Sequence, residues 1–135
     1  MTNKRTRVSS GTEWEARVGY CRAIAVGSLA YVSGTVAVDD EGRIFAPGDA
    51  YAQTRRCLVI IERALQALGA DMQSVVRTRM YVTDFTDWEA IARAHREVFA
   101  EHPPASTMVA VAALIDPATV VEIEAEAILP ADLET

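Results

Sequence analysis

The sequence predicts an α+β fold, a mixed six-stranded sheet with two helices on one of its faces. Three observations lead there. Two stretches carry apolar residues at helical spacing, and the stretches around them alternate or run apolar as strands do. The order is strands, helix, strand, helix, two strands, with no repeat or linker, so 1–135 reads as a single domain. In the last strand Glu122, Glu124 and Glu126 alternate with Val121, Ile123, Ala125 and Ala127. In an extended chain that puts three carboxylates on one face and the apolar set on the other.

Each element has a local reason. Arg5 to Ser9 is short and polar and reads as an edge strand, and Ser10 to Glu15 is turn-like. Gly19 to Val26 is the next strand, with Tyr20, Arg22 and Ile24 on one face. After a turn at Gly27-Ser28, Leu29 to Val38 is a strand in which Gly34 marks a bulge or a close approach by ligand or backbone. Asp39 to Gly42 is a turn. Asp49 caps a helix whose Tyr51, Thr54, Leu58, Ile61, Leu65 and Leu68 form one buried stripe, and Gly69 ends it. In the strand Ser74 to Asp84, Val76, Thr78, Met80 and Val82 face one way, Arg77, Arg79 and Tyr81 the other. Thr86 with Glu89 reads as a capping box opening a helix with Trp88, Ile91, His95, Val98 and Phe99 inside. Pro103-Pro104 ends it. Thr107 to Leu114 is almost unbroken apolar, as in a strand covered on both faces, and a turn at Asp116-Pro117 leads to Val120 to Ile128.

Both helices on one face leave the other face polar. Two arginines against three glutamates there predict a cross-strand charge network. Such a face is either wet or packed against another subunit.

Composition excludes several classes. Half the residues are hydrophobic, enough for a core, and the net charge is -6 with a pI near 4.9. An acidic chain without a basic run disfavours nucleic acid. Cys21 and Cys57 form no CxxC and no Cys/His cluster, so the expectation is no metal, no disulfide framework and a reduced, cytoplasmic setting. The N-terminus has no apolar signal core and no apolar run is long enough for a bilayer, so no membrane is expected.

With these pieces in order, the chain resembles the RidA/YjgF/YER057c family, also labelled endoribonuclease L-PSP. The matching segments are Gly19-Tyr20, YVSGT at Tyr31 to Thr35, the helix Ala52 to Ala70, VVRTRMYVTD at Val75 to Asp84, PPAST at Pro103 to Thr107 and VEIEAEA at Val121 to Ala127. The resemblance implies a chorismate-mutase-like fold, a homotrimer with its sheets inside, and a small-molecule cleft between subunits. It also implies hydrolysis of reactive 2-imino acids to 2-keto acids and ammonia, without a metal or organic cofactor. By position, Tyr20 and Gly34 match pocket residues, Glu122 matches the glutamate that holds the attacking water, and Met108 falls where many members have a pocket cysteine.

One departure bears on substrate. Deaminating members read PARS, whose arginine clamps the substrate carboxylate with a planar fork. Here the segment is Pro104-Ala105-Ser106-Thr107, and Ser106 offers one neutral hydrogen bond. The expected substrate is therefore something other than the usual 2-imino acids. Arg22, two residues from Tyr20, either binds an anion in the cleft or pairs with Glu122 or Glu124. Ser106 and Thr107 either bond a ligand or only start the strand. His95 reads as a hydrogen-bonded core residue, and Ser33 has no His/Asp partner to make it a nucleophile. Three functions follow: an imine or enamine deaminase using Glu122, a non-catalytic small-molecule binding or sensing trimer, and an endoribonuclease, which the acidic charge opposes.

Overall fold

The computed structural model describes residues 4–130. Its strands are β1 (Arg5–Val8), β2 (Ala23–Val26), β3 (Leu29–Val36), β4 (Val75–Val82), β5 (Ala105–Ala110) and β6 (Val121–Ile128). Its α-helices are α1 (Glu13–Val18), α2 (Ala50–Ala67) and α3 (Trp88–Phe99). One mixed sheet runs in the order β1-β2-β3-β6-β4-β5. All pairings are antiparallel except β4 with β5. β6 slots between β3 and β4, so β5 and β6 are not neighbours although they follow each other in the chain.

The alternation in β6 is realised: Val121, Ile123, Ala125 and Ala127 are buried, and Glu122, Glu124 and Glu126 are half-buried on the opposite face. The buried face packs against α2, which in turn packs against α3. Gln53, Thr54, Cys57, Leu58, Ile61, Ala64 and Leu65 make the inner stripe of α2. Tyr51 is not part of it; its hydroxyl bonds Glu97 at the surface. Asp49 caps α2 as expected, accepting from Ala52 N–H at 2.9 Å. Gly69, just past the helix, has a φ of +85°, the left-handed turn that stops it.

Several sequence expectations are corrected. The stretch read as a turn at Ser10 to Glu15 continues into the short helix α1, because Glu15 is buried and collects donors from Ser9, Ser10 and Thr12. β2 starts only at Ala23, which leaves Tyr20 and Arg22 in the connection before it. Val76 faces out rather than in, since the β4–β6 register shifts between Val75 and Arg77. The Thr86–Glu89 capping box does not form. Asp84 instead accepts from Thr86 and starts a 3-10 turn, and α3 begins at Trp88, which is half exposed. β5 is an edge strand with both faces largely open in the single chain, not a covered one.

Candidate functional site

The face away from the helices carries the expected charges, paired on the diagonal. Directly opposite positions are Arg79 with Glu124 and Tyr81 with Glu122. The bonds step one pair along: Arg79 donates to Glu126 at 2.7 Å, and the Tyr81 hydroxyl donates to Glu124. Arg79 also stands 3.8 Å from Glu124. Arg77 turns away from the acids and donates to Thr107 on β5 at 2.7 Å. Glu126 and Glu124 are therefore answered by partners on β4, and Glu122 is left over.

Glu122 sits over a bulge. The β3–β6 register shifts between Val32 and Thr35, and Ser33-Gly34 occupies the irregular step. A Cβ on Gly34 would lie 3.1 Å from Glu122 Cδ and closer still to Oε2, so only glycine leaves room for the carboxylate. Arg22 closes the other side, donating to the Gly34 carbonyl at 2.6 Å. Ser33 holds the same connection, its hydroxyl donating to the Cys21 carbonyl at 2.7 Å. The Arg22 guanidinium lies 5.9 Å from the Tyr20 ring.

These residues open into a cleft of about 1510 Å³. Its walls include Trp14 and Val18 of α1, Val36, Val38 and Ile44, and the loop from Ile115 to Thr119. Two buried polar atoms of its lining have no partner among the described residues: Arg22 Nε and Thr119 Oγ1. The loop is pinned from below by Gln53, fully buried, which donates to Ala118 O at 2.9 Å and accepts from Val120 N–H at 2.9 Å.

Burial raises the proton affinity of Glu122 above that of an ordinary carboxylate; nearby Arg22 opposes the shift and Glu124 adds to it. Among the described residues Arg22 forms no ion pair with Glu122 or Glu124, so it acts on Glu122 through space while holding backbone. A carboxylate so placed can hold a water and take a proton from it. Burial pushes the Cys57 thiol well above its ordinary range, which keeps it an unreactive neighbour under Thr35. Among the described residues no three His, Cys, Asp or Glu side chains gather closely enough to hold a metal. No described helix is long and apolar enough to cross a membrane.

Tyr20, Arg22, Gly34, Glu122 and Glu124 thus share one cleft. Ser106, Thr107 and Met108 lie elsewhere, on β5. Ser106 pairs with Thr78 and Met108 with Met80, both buried, so these two side chains are on the helix face. Within one chain Ser106 and Met108 stand on the face opposite Glu122, while Thr107 shares the polar face with Arg77 and Arg79. Sequence reasoning missed α1, Thr119 and Gln53. A glutamine one turn before Cys57 and two before Ile61 was a signal that a polar group enters the core; Thr119 carried none.

The profile of the family described as Endoribonuclease L-PSP matches residues 10–129. The chain is similar to the crystal structure of Rv2704 from Mycobacterium tuberculosis, a member of the YjgF/YER057c/UK114 family. The identity is 45%, the TM-score 0.85, and the match covers 93% of this chain and 100% of that one. An uncharacterised protein of Streptomyces coelicolor is 36% identical, over 90% of each sequence. The 3-aminoacrylate deaminase RutC of Acinetobacter baylyi is 33% identical, over 77% of this chain and 82% of the relative.

Proposed function

The chain belongs to the endoribonuclease L-PSP family, with the YjgF and RutC proteins, and we propose that it hydrolyses imine or enamine metabolites in a cleft between subunits. One observation carries the reading: a half-buried carboxylate of raised proton affinity, Glu122, folded over a glycine that alone leaves room for it. Water held by Glu122 adds to the imine carbon, and its proton passes through the carboxylate to the nitrogen. Glu122 then passes the hydroxyl proton of the adduct to the nitrogen as the C–N bond breaks, giving a carbonyl compound and ammonia. Enamines enter the same path after tautomerising to imines. No organic or metal cofactor takes part. Tyr20, Arg22, Gly34 and Glu124 line the ligand on one wall. Ser106, Thr107 and Met108 bring the second wall from a neighbouring copy of a cytoplasmic homotrimer.

Support for the assembly lies on the uncovered sheet face. Leu29, Tyr31, Val109 and Ile128 are each at least 41% exposed there, beside the Arg79–Glu126 pair. Large apolar side chains around a charged network suit burial against a second copy. The substrate is something other than the usual 2-imino acids, because Ser106 stands where the resemblance places the carboxylate clamp.

The test is ammonia release from imines made in situ by amino-acid and amine oxidases. Wild type accelerates release over buffer and Glu122→Gln does not; no acceleration on a broad imine panel overturns the proposal. Ser106 favours a second reading, a binding or sensing trimer without chemistry, in which ligands stabilise the protein thermally and none is turned over. Endoribonuclease action is opposed by the charge of -6.

A further inference from the structure

Ser106 Oγ stands 2.7 Å from Thr78 Oγ1, and Thr78 Oγ1 stands 2.9 Å from His95 Nε2. The three residues come from β5, β4 and α3. Thr78 is fully buried, and the His95 ring lies against Phe99 at 4.6 Å between centroids. Ser106 is exposed on the edge strand. A hydrogen-bonded row therefore runs from the interior to the rim and ends at an open hydroxyl.

Satisfying buried groups does not account for the whole row. Thr78 and His95 already satisfy each other, and an exposed serine finds water without help. What the row adds is direction. Thr78 has one proton for two neighbours, so when it donates to one it accepts from the other. With Nε2 bare, Thr78 donates to His95 and Ser106 donates to Thr78, and Ser106 then offers lone pairs outward. With Nε2 carrying the proton, the row reverses and Ser106 keeps its own proton for an outside partner. In both cases the outward group is uncharged and fixed in direction. Arg77, next to Thr78 along β4, adds no charge here: it points to the other face and is taken up by Thr107.

We propose that Ser106 is a ligand-contacting residue for an uncharged hydrogen-bonding group, a carboxamide, carbonyl oxygen or imine nitrogen, and that Thr78 and His95 are its positioning residues. This rests on the intersubunit cleft proposed above, since Ser106 lies on the sheet face opposite Glu122 of its own chain. It narrows the substrate to imines without a carboxylate beside the reacting carbon. A carboxylate at Ser106 would receive one neutral bond where a charged fork is needed.

Benzamide and benzoate test this, because they share a ring that suits the wall made by Val36, Val38 and Ile44 and differ in charge. Calorimetric titration of the full-length protein should find benzamide bound at least tenfold more tightly than benzoate. Ser106→Ala and Thr78→Val should each weaken benzamide about fivefold, the worth of one neutral hydrogen bond, and leave benzoate unchanged. Thr78→Ser, which keeps the hydroxyl, should restore wild-type selectivity, and His95→Phe should lose it. Equal affinities, a preference for benzoate, binding of neither probe, or benzamide binding indifferent to Thr78→Val overturns the proposal. The readout needs no turnover. Selectivity without imine hydrolysis therefore sinks the catalytic reading alone, and hydrolysis without selectivity sinks this one alone.

Discussion

The Gly34 backbone and the Glu122 carboxylate occupy the same small space, to the exclusion of any side chain at position 34. Gly34→Ala therefore has to push the carboxylate away from Arg22 and into the cleft. In the imine assay this variant should lose at least tenfold in kcat, with a melting temperature that moves far less than that of a core-cavity mutant. Wild-type kcat in Gly34→Ala would refute the placement of Glu122 as the water-holding group.

Glu122 and stability are linked with a definite sign. Its proton affinity is raised in the folded state, so the native protein binds more protons than the unfolded chain above the ordinary value of 4.5. Stability from this group is then lost as pH rises from 4.5. Glu122→Gln should match wild type in strongly acidic buffer and become the more stable protein toward neutral pH. Thermal melts across pH check this, and a gap of the opposite sign counts against it.

Glu15 works in the other direction. Burial opposes its charge, but hydrogen bonds from Ser10 and Ser9 outweigh burial and hold its proton affinity below the ordinary 4.5. Its contribution is present above 4.5 and lost as pH falls through the lowered value. Glu15→Gln should cost stability at neutral pH, and the difference from wild type should close in acid. The variant should also loosen α1, seen as faster proteolysis near Trp14.

Gln53 joins α2 to the loop that leads into β6. Gln53→Met keeps the volume but leaves the Ala118 carbonyl and the Val120 N–H without their partner. A loss of about 2–4 kcal/mol is expected from denaturant melts, the cost of stranding such groups. A change below about 1 kcal/mol would mean that water replaces the side chain.

Arg79 tests the assembly. In an isolated chain the Arg79–Glu126 pair is partly exposed and contributes little to stability. Buried between copies, its loss would strand Glu126 in the interface. Arg79→Ala should shift sedimentation from trimer toward monomer at micromolar protein, whereas an unchanged sedimentation profile, or a wild-type monomer, argues against packing through this face.

The parts read correctly from sequence are those with a local cause. Alternation set the two faces of β6, a 3.6-residue period set α2, and Asp49 announced its start. The parts misread were decided by contacts that spacing along one element does not show, some of them distant and one, at Asp84, only two residues away. Tyr51 fits the helical stripe by spacing but meets Glu97 at the surface. Thr107 to Leu114 looks covered by composition, yet β5 is an edge strand because β6 takes the place beside β3 and β4. The Thr86–Glu89 spacing suits a capping box, but Asp84 reaches Thr86 N–H first.

By itself the sequence determined that there are six strands and two long helices, though not α1, and it determined the polar and apolar faces of the sheet and the set of acids and bases on the polar one. Those depend on contacts within a turn or a strand, where side-chain direction follows from position along the chain. The tertiary structure decided which acid was left without a partner. Strand register and one bulge gave Glu126 and Glu124 to Arg79 and Tyr81, and set Glu122 over Gly34. It also joined Ser106 to Thr78 and His95. These pairings span residues far apart in the chain, and a pattern confined to neighbouring positions carries no information about which strand will lie beside which.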